Sequence, residues 1–163
     1  HFLETPVEPE KLKTLLEAAR WAPSSRNAQP WRFIFAVRGD EHFEAFFQLL
    51  KPVNQKWART VPLFILSAAK KSAGEPPREN RYAVHDTGMA TAQLIIQAVA
   101  LGLQVHPMGG YDREKAIEFC GLPEGVEPVA MLAVGYEDPD KPREHASTER
   151  RPQTDFVFHQ TMT

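Results

Sequence analysis

Between Trp21 and Trp31 the sequence WAPSSRNAQPW gathers two hydroxyls (Ser24, Ser25), two side-chain amides (Asn27, Gln29) and the Arg26 guanidinium between Pro23 and Pro30. Such groups, with backbone N–H donors, are what the carbonyls and ring nitrogens of a flat heteroaromatic ligand require at its edge. The same residues also make an ordinary turn between a helix and a strand. A second loop, HPMGGYD, sets Gly109 and Gly110 behind Pro107 and Met108. Two residues without side chains let the backbone approach a ligand face and present an N–H, or simply shape a turn ahead of a capped helix. In STERRP, Arg150 and Arg151 precede Pro152, where a guanidinium fork suits a phosphate or carboxylate; a solvated surface pair is the plainer alternative.

Other chemistries lack their residues. The sequence has no GxxxxGK[ST], no GxGxxG after a strand, no GxSxG and no HExxH. Six histidines and one cysteine fall into no zinc-ligand spacing, so no metal is expected. Ser24 and Ser25 have no histidine or lysine near them in sequence to act as a base. Cys120 falls on the apolar side of its helix and reads as a small core residue more readily than as a redox centre.

The elements that must position these loops follow from apolar spacing. Leu12, Leu15, Leu16 and Ala19 recur at i, i+3, i+4 and i+7 behind Pro9, predicting a helix over 9–22 that Pro23 stops. WRFIFAV, 31–37, is aromatic and β-branched enough for a strand; Phe43, Phe46, Phe47 and Leu50 give a second helix. LFILSAA, 63–69, predicts a fully buried strand, and 70–80 a polar surface excursion. Small and apolar residues almost all round 82–101 predict a helix buried on most of its circumference, ended by Gly102. A short strand over 103–106, a helix from the N-cap Asp112 to Cys120 with Gly121 as its stop, and a buried strand over 129–136 complete the pattern. Residues 137–163 show no period. Four strands alternating with four helices argue for helices on both faces of one sheet, in an order the sequence leaves open.

At 163 residues, with 42% hydrophobic and 25% charged content, the chain fits one soluble domain with a single core. A net charge of −2 without a basic stripe argues against nucleic acid, and no apolar run is long enough for a membrane. The single cysteine excludes an internal disulfide, which with no apolar signal segment makes the cytoplasm the expected location. The sequence opens on His1 without an initiator methionine, so further N-terminal residues are expected ahead of it.

Three loops in this order, joined by these elements, resemble the nitroreductase family of FMN-dependent oxidoreductases from Phe2 to about Pro152. The resemblance rests on A-P-S-S-x-N-x-Q-P-W at Ala22 to Trp31 and D-x-G-x-A at Asp86, Gly88 and Ala90. It extends through A-x-x-L-G-L at Ala98 to Leu103, P-x-x-G-x-D at Pro107 to Asp112, and R-x-P at Arg150 and Pro152. It implies an α+β fold of three layers, α-β-α, with a mixed, mostly antiparallel sheet flanked by helices, one domain over 1–163, and an intertwined homodimer.

The resemblance further implies FMN held at the subunit interface. Pro23, Ser24, Ser25 and Asn27 look like the loop laid on the ring; Asn54, with Lys56 as its alternative within NQKW, like the contact to the pyrimidine edge. Pro107, Met108, Gly109 and Gly110 look like the turn behind the ring, with the Gly109 N–H near flavin N5 as the catalytic contact, and Arg150 like the residue meeting the ribityl phosphate. An R-x-S-x-R stretch that supplies most of the family's phosphate grip would lie upstream of His1. Hydride would pass from NAD(P)H through the flavin to a nitroaromatic or quinone acceptor in ping-pong fashion. Arg26, at the variable position of PSSxN, is expected on the substrate side, favouring anionic acceptors or the extra phosphate of NADPH. The segment 70–82 is too short for a long helical lid, which leaves an open pocket with Arg81 and Tyr82 near its rim. A flavin-binding protein without turnover, for storage or sensing, and a specialised reductive dehalogenase are the alternative readings.

Overall fold

The computed structural model describes residues 2–141 and 149–162. Among these residues there are five α-helices, α1 (Pro9–Arg20), α2 (Phe43–Leu49), α3 (Pro52–Gln55), α4 (Ala83–Ala100) and α5 (Arg113–Phe119). The strands are β1 (Trp31–Val37), β2 (Leu63–Lys70), β3 (Ser72–Ala73), β4 (Arg78–Glu79), β5 (Gln104–Met108) and β6 (Val126–Gly135). The main sheet has the order β1-β2-β6-β5, and each of its three pairings is antiparallel. The small strands β3 and β4 form a hairpin of their own inside the segment read from sequence as a polar surface excursion.

Alternation along the inner strands divides the core in two. Leu63 and Ile65 of β2, with Leu132 and Val134 of β6, face a cluster that includes Leu15 and Ala19 of α1 and Ala90 and Leu94 of α4. The intervening Phe64, Leu66, Met131 and Ala133 face the opposite side, against Phe43, Phe46 and Phe47 of α2 and Ala116 of α5. The result is the three-layer α-β-α arrangement expected, with α1 and α4 on one face and α2 and α5 on the other. Because β2 has neighbours on both edges and helices on both faces, seven of its eight residues are buried and its sequence is apolar without alternation. Ser67, the polar exception among the buried seven, exchanges bonds with Ala130, its Oγ donating to the carbonyl at 3.1 Å and accepting from the N–H at 3.2 Å.

Helix ends obey the local rules. Pro9 opens α1, the Asp112 carboxylate caps α5 by accepting from the Lys115 N–H at 3.2 Å, and Gly102 and Gly121 end α4 and α5 at φ of +73° and +59°. Two expectations need correcting. The helix α4 is buried along one side only: Val84, Gly88, Ala92, Ile96 and Val99 make an exposed small and apolar stripe along the other. The sequence also hid α3, a single turn opened by Pro52 and too short to show a period.

Candidate functional site

Most of the predicted site residues fall into two clusters. The first is the 23–30 loop between α1 and β1. Arg26, Asn27 and Gln29 all hold positive φ, at 51°, 55° and 45°, and only the asparagine tolerates this readily. Two bonds from its backbone to side-chain oxygens help to hold the loop in that shape. The Gln29 N–H donates to Ser24 Oγ at 3.0 Å, and the Ser25 N–H donates to Asp86 Oδ2 at 2.8 Å. Asp86 is 2% exposed on the first turn of α4, and its other oxygen lies 3.1 Å from Nδ1 of His85. Ser24 therefore acts partly as the turn-former that its residue type suggested, while Asp86 is a positioning residue that sequence reasoning noted only as part of a motif.

The second cluster joins α2, α3 and the turn after β5. Asn54 donates from Nδ2 to the Gly110 carbonyl at 3.0 Å, which also accepts from the Lys51 N–H at 2.9 Å. The Asp112 N–H reaches the Leu49 carbonyl at 2.8 Å, so the end of α2, the start of α3 and the turn after β5 are tied together there. A Cβ at Gly110 would come within 2.6 Å of Asn54 Nδ2, which explains why this position is glycine; a Cβ at Gly109 would meet nothing within 4 Å. Pro107 is accommodated because β5 is an edge strand of this sheet. Met108 points into the core beneath α2, leaving its backbone for any contact at the turn. Lys56 is exposed just beyond α3.

Arg26, Arg81 and Tyr82 come together in a groove between the 24–28 loop and the β3–β4 hairpin. Arg150 lies in the exposed tail, its guanidinium donating to the Glu149 carbonyl at 3.3 Å; Ser147 and Thr148 of STERRP fall outside the described residues. Cys120 packs against the α2/α5 core, and burial pushes its thiol up, away from the thiolate that redox chemistry needs.

The relation between the two clusters is the main geometric result. β5 runs toward the end of the sheet at which β1 begins, so both clusters face the same end. They sit on the two edge strands, three inter-strand spacings or about 14 Å apart, and on opposite faces of the sheet.

No described helix is long and apolar enough to cross a membrane. The solved structure of an oxidoreductase containing FMN superimposes with a TM-score of 0.93 at 30% identity, over 99% of this chain and 86% of the other. A nitroreductase family protein from Clostridium difficile gives a TM-score of 0.78 at 27% identity, over 99% of this chain and 91% of its own. A Xanthomonas oryzae pv. oryzae protein with the provisional name NADH dehydrogenase/NAD(P)H nitroreductase is 31% identical over 157 residues, 85% of this chain and 79% of the relative. The model of the nitroreductase family matches residues 1–52 and 37–136, and with the fold in agreement the chain belongs to the nitroreductase family.

Proposed function

We propose that the chain is an FMN-dependent oxidoreductase that takes hydride from NAD(P)H and delivers it to a small organic acceptor such as a nitroaromatic or a quinone. The carrying observation is the pair of hydrogen-bonding clusters at one end of the sheet. Their chemistry fits a flavin. Asn54 supplies an amide, Gly109 leaves open space where a side chain would stand, and the 23–30 loop is fixed by its bonds to Ser24 and Asp86. Bound FMN would supply the hydride and electron chemistry. The protein's own part is then to orient. Asp86 fixes the loop through Ser25, Asn54 fixes the Gly109–Gly110 turn, and the Gly109 N–H is the donor expected near flavin N5.

The clusters lie on opposite faces of the sheet, beside edge strands about 14 Å apart, which argues against one chain bringing both to a single ring. A twofold dimer can, by placing one subunit's 23–30 loop against the other's 107–110 turn. The exposed stripe on α4, with Ile96 at 66% and Val99 at 62% exposure, is the surface such a dimer would cover.

The test is spectroscopic. The full-length protein should purify yellow or turn yellow on adding FMN, bleach with NADH or NADPH in the absence of oxygen, and regain its colour with a quinone or nitroarene. A protein that stays colourless with FMN overturns the proposal; one that binds FMN but does not bleach supports a storage or sensing role instead.

A further inference from the structure

The groove between the 24–28 loop and the β3–β4 hairpin holds more than the rim residues expected from sequence. Its volume of about 730 Å³ suits an organic molecule and not a lone ion. Five cations line it, Arg26, Arg32, Lys70, Arg78 and Arg81, against two carboxylates, Glu75 and Glu79. No ion pair among the described residues engages any of the five. Arg32 donates instead to the Gln29 and Trp31 carbonyls, and Arg81 lies over the Tyr82 ring at 5.0 Å. Grouping uncompensated guanidinium forks is unfavourable unless an anion joins them, and such forks match phosphate and carboxylate geometry.

A second observation concerns Asn80, which also lines the groove and is 8% exposed. Its Oδ1 accepts from the Tyr82 N–H at 3.1 Å, but its Nδ2 is buried without a partner. Folded proteins seldom leave a buried donor unmade, and a ligand oxygen would complete this one.

Because Ser25 and Asn27 line the same groove, an anion held there belongs to a molecule whose other end reaches the loop assigned to the flavin. We infer that this groove binds the anionic end of the substrate, a phosphate of the nicotinamide dinucleotide or a carboxylate on an aromatic acceptor. The inference rests on the flavin reading above. No bond is made or broken in the groove; its part is affinity and selection.

The experiment uses the full-length, FMN-loaded protein and the variants Arg78→Gln and Arg32→Gln, with Lys13→Gln on α1 as a control for general surface charge. Adenosine 2′,5′-bisphosphate and 4-nitrobenzoate are titrated by calorimetry, and KM is measured for NADPH against NADH and for 4-nitrobenzoate against nitrobenzene. Loss of about ten-fold in bisphosphate affinity and a matching rise in KM for NADPH alone would assign the groove to the dinucleotide. The same loss for 4-nitrobenzoate alone would assign it to the acceptor, and kcat and flavin absorbance should stay unchanged in either case. Two results overturn the inference while leaving the flavin reading intact: neither probe binds, or the two groove variants behave like Lys13→Gln. Loss of FMN from the groove variants would overturn it differently, by assigning the cations to the flavin phosphate. A wild-type protein that binds the probes but never takes up FMN would sink the flavin reading and not the groove.

Discussion

The Asp86 carboxylate, on the first turn of α4, accepts the Ser25 N–H at 2.8 Å across 61 residues of sequence. It is the contact through which the buried face of α4 fixes a loop that has no regular structure beyond a single 3-10 turn. Substituting Asp86 with alanine leaves the Ser25 N–H without its acceptor and should destabilise the protein by about 1–3 kcal/mol. In a domain of this size that corresponds to a fall in Tm of roughly 2–12 °C. The Asp86→Asn variant, which retains an acceptor oxygen, should lose less. If the loop lies on the flavin, FMN affinity should fall in the same order, as a fluorescence titration with FMN would show. Unchanged FMN affinity in the alanine variant would remove the loop from the cofactor site.

The two glycines of the β5–α5 turn offer a sharper separation of structure from function. In the Gly110→Ala variant the new methyl would stand 2.6 Å from Asn54 Nδ2, so the amide must leave the Gly110 carbonyl and both stability and FMN binding should suffer. At Gly109 a methyl meets nothing within 4 Å, and the residue is absent from the glycines that need a positive φ. Gly109→Ala should therefore unfold within about 0.5 kcal/mol of the wild type. Any loss of FMN affinity or of the bleaching rate in that variant then reports a ligand against the turn. Normal turnover by Gly109→Ala would show that no ring approaches there.

Much of this arrangement is written in local patterns. The 3.6-residue spacing in α1 and α2, the unbroken apolar run of β2 and the Asp112 cap announce their elements directly, because burial and capping are decided by neighbours in sequence. The loops were legible for a different reason, since hydroxyls, amides and glycines cluster at their ends. The Asp86–Ser25 and Asn54–Gly110 contacts span 61 and 56 residues, and no local spacing encodes them. The hairpin β3–β4 has strands of two residues each, too short to show alternation. Without it, Arg32 and Arg78 read as scattered surface charges. The exposed stripe of α4 escaped notice because composition reports that a helix is apolar, not which of its sides the fold buries.

Acid should weaken the helix that leads into the loop. Glu17 of α1 accepts from Arg20 Nε and Nη2 at 2.7 and 2.6 Å and from Trp21 Nε1 at 2.8 Å. The Arg20 bonds first, then the Trp21 bond, lower its pKa from the ordinary 4.5 to about 2. A carboxylate held below its unfolded value contributes stability that is complete above about 4.5 and is lost as pH falls toward 2. Denaturant melts should thus show Glu17→Gln less stable than wild type at pH 7, with the gap closing between pH 4.5 and 2. The difference should be small, because all three side chains are solvent-accessible. A gap that persists at pH 2 would mean that the ion pair is not its source.

The subunit arrangement makes the last prediction. Val84, Gly88, Ala92, Ile96 and Val99 lie on the side of α4 that faces away from the sheet. Burying Ile96 and Val99 against a second copy would remove two large exposed side chains from water, each contributing about 1.5–3 kcal/mol when fully covered. Ile96→Glu and Val99→Glu should each shift the protein from dimer to monomer in analytical ultracentrifugation at micromolar concentration. Neither should harm the fold of the chain, since both positions are already solvent-exposed within it. If the 23–30 loop and the 107–110 turn meet only between subunits, FMN binding should disappear together with the dimer, at the same protein concentration. A monomeric variant that still binds FMN with wild-type affinity would show that one chain is enough, and that the roughly 14 Å between the edge strands is bridged in some other way.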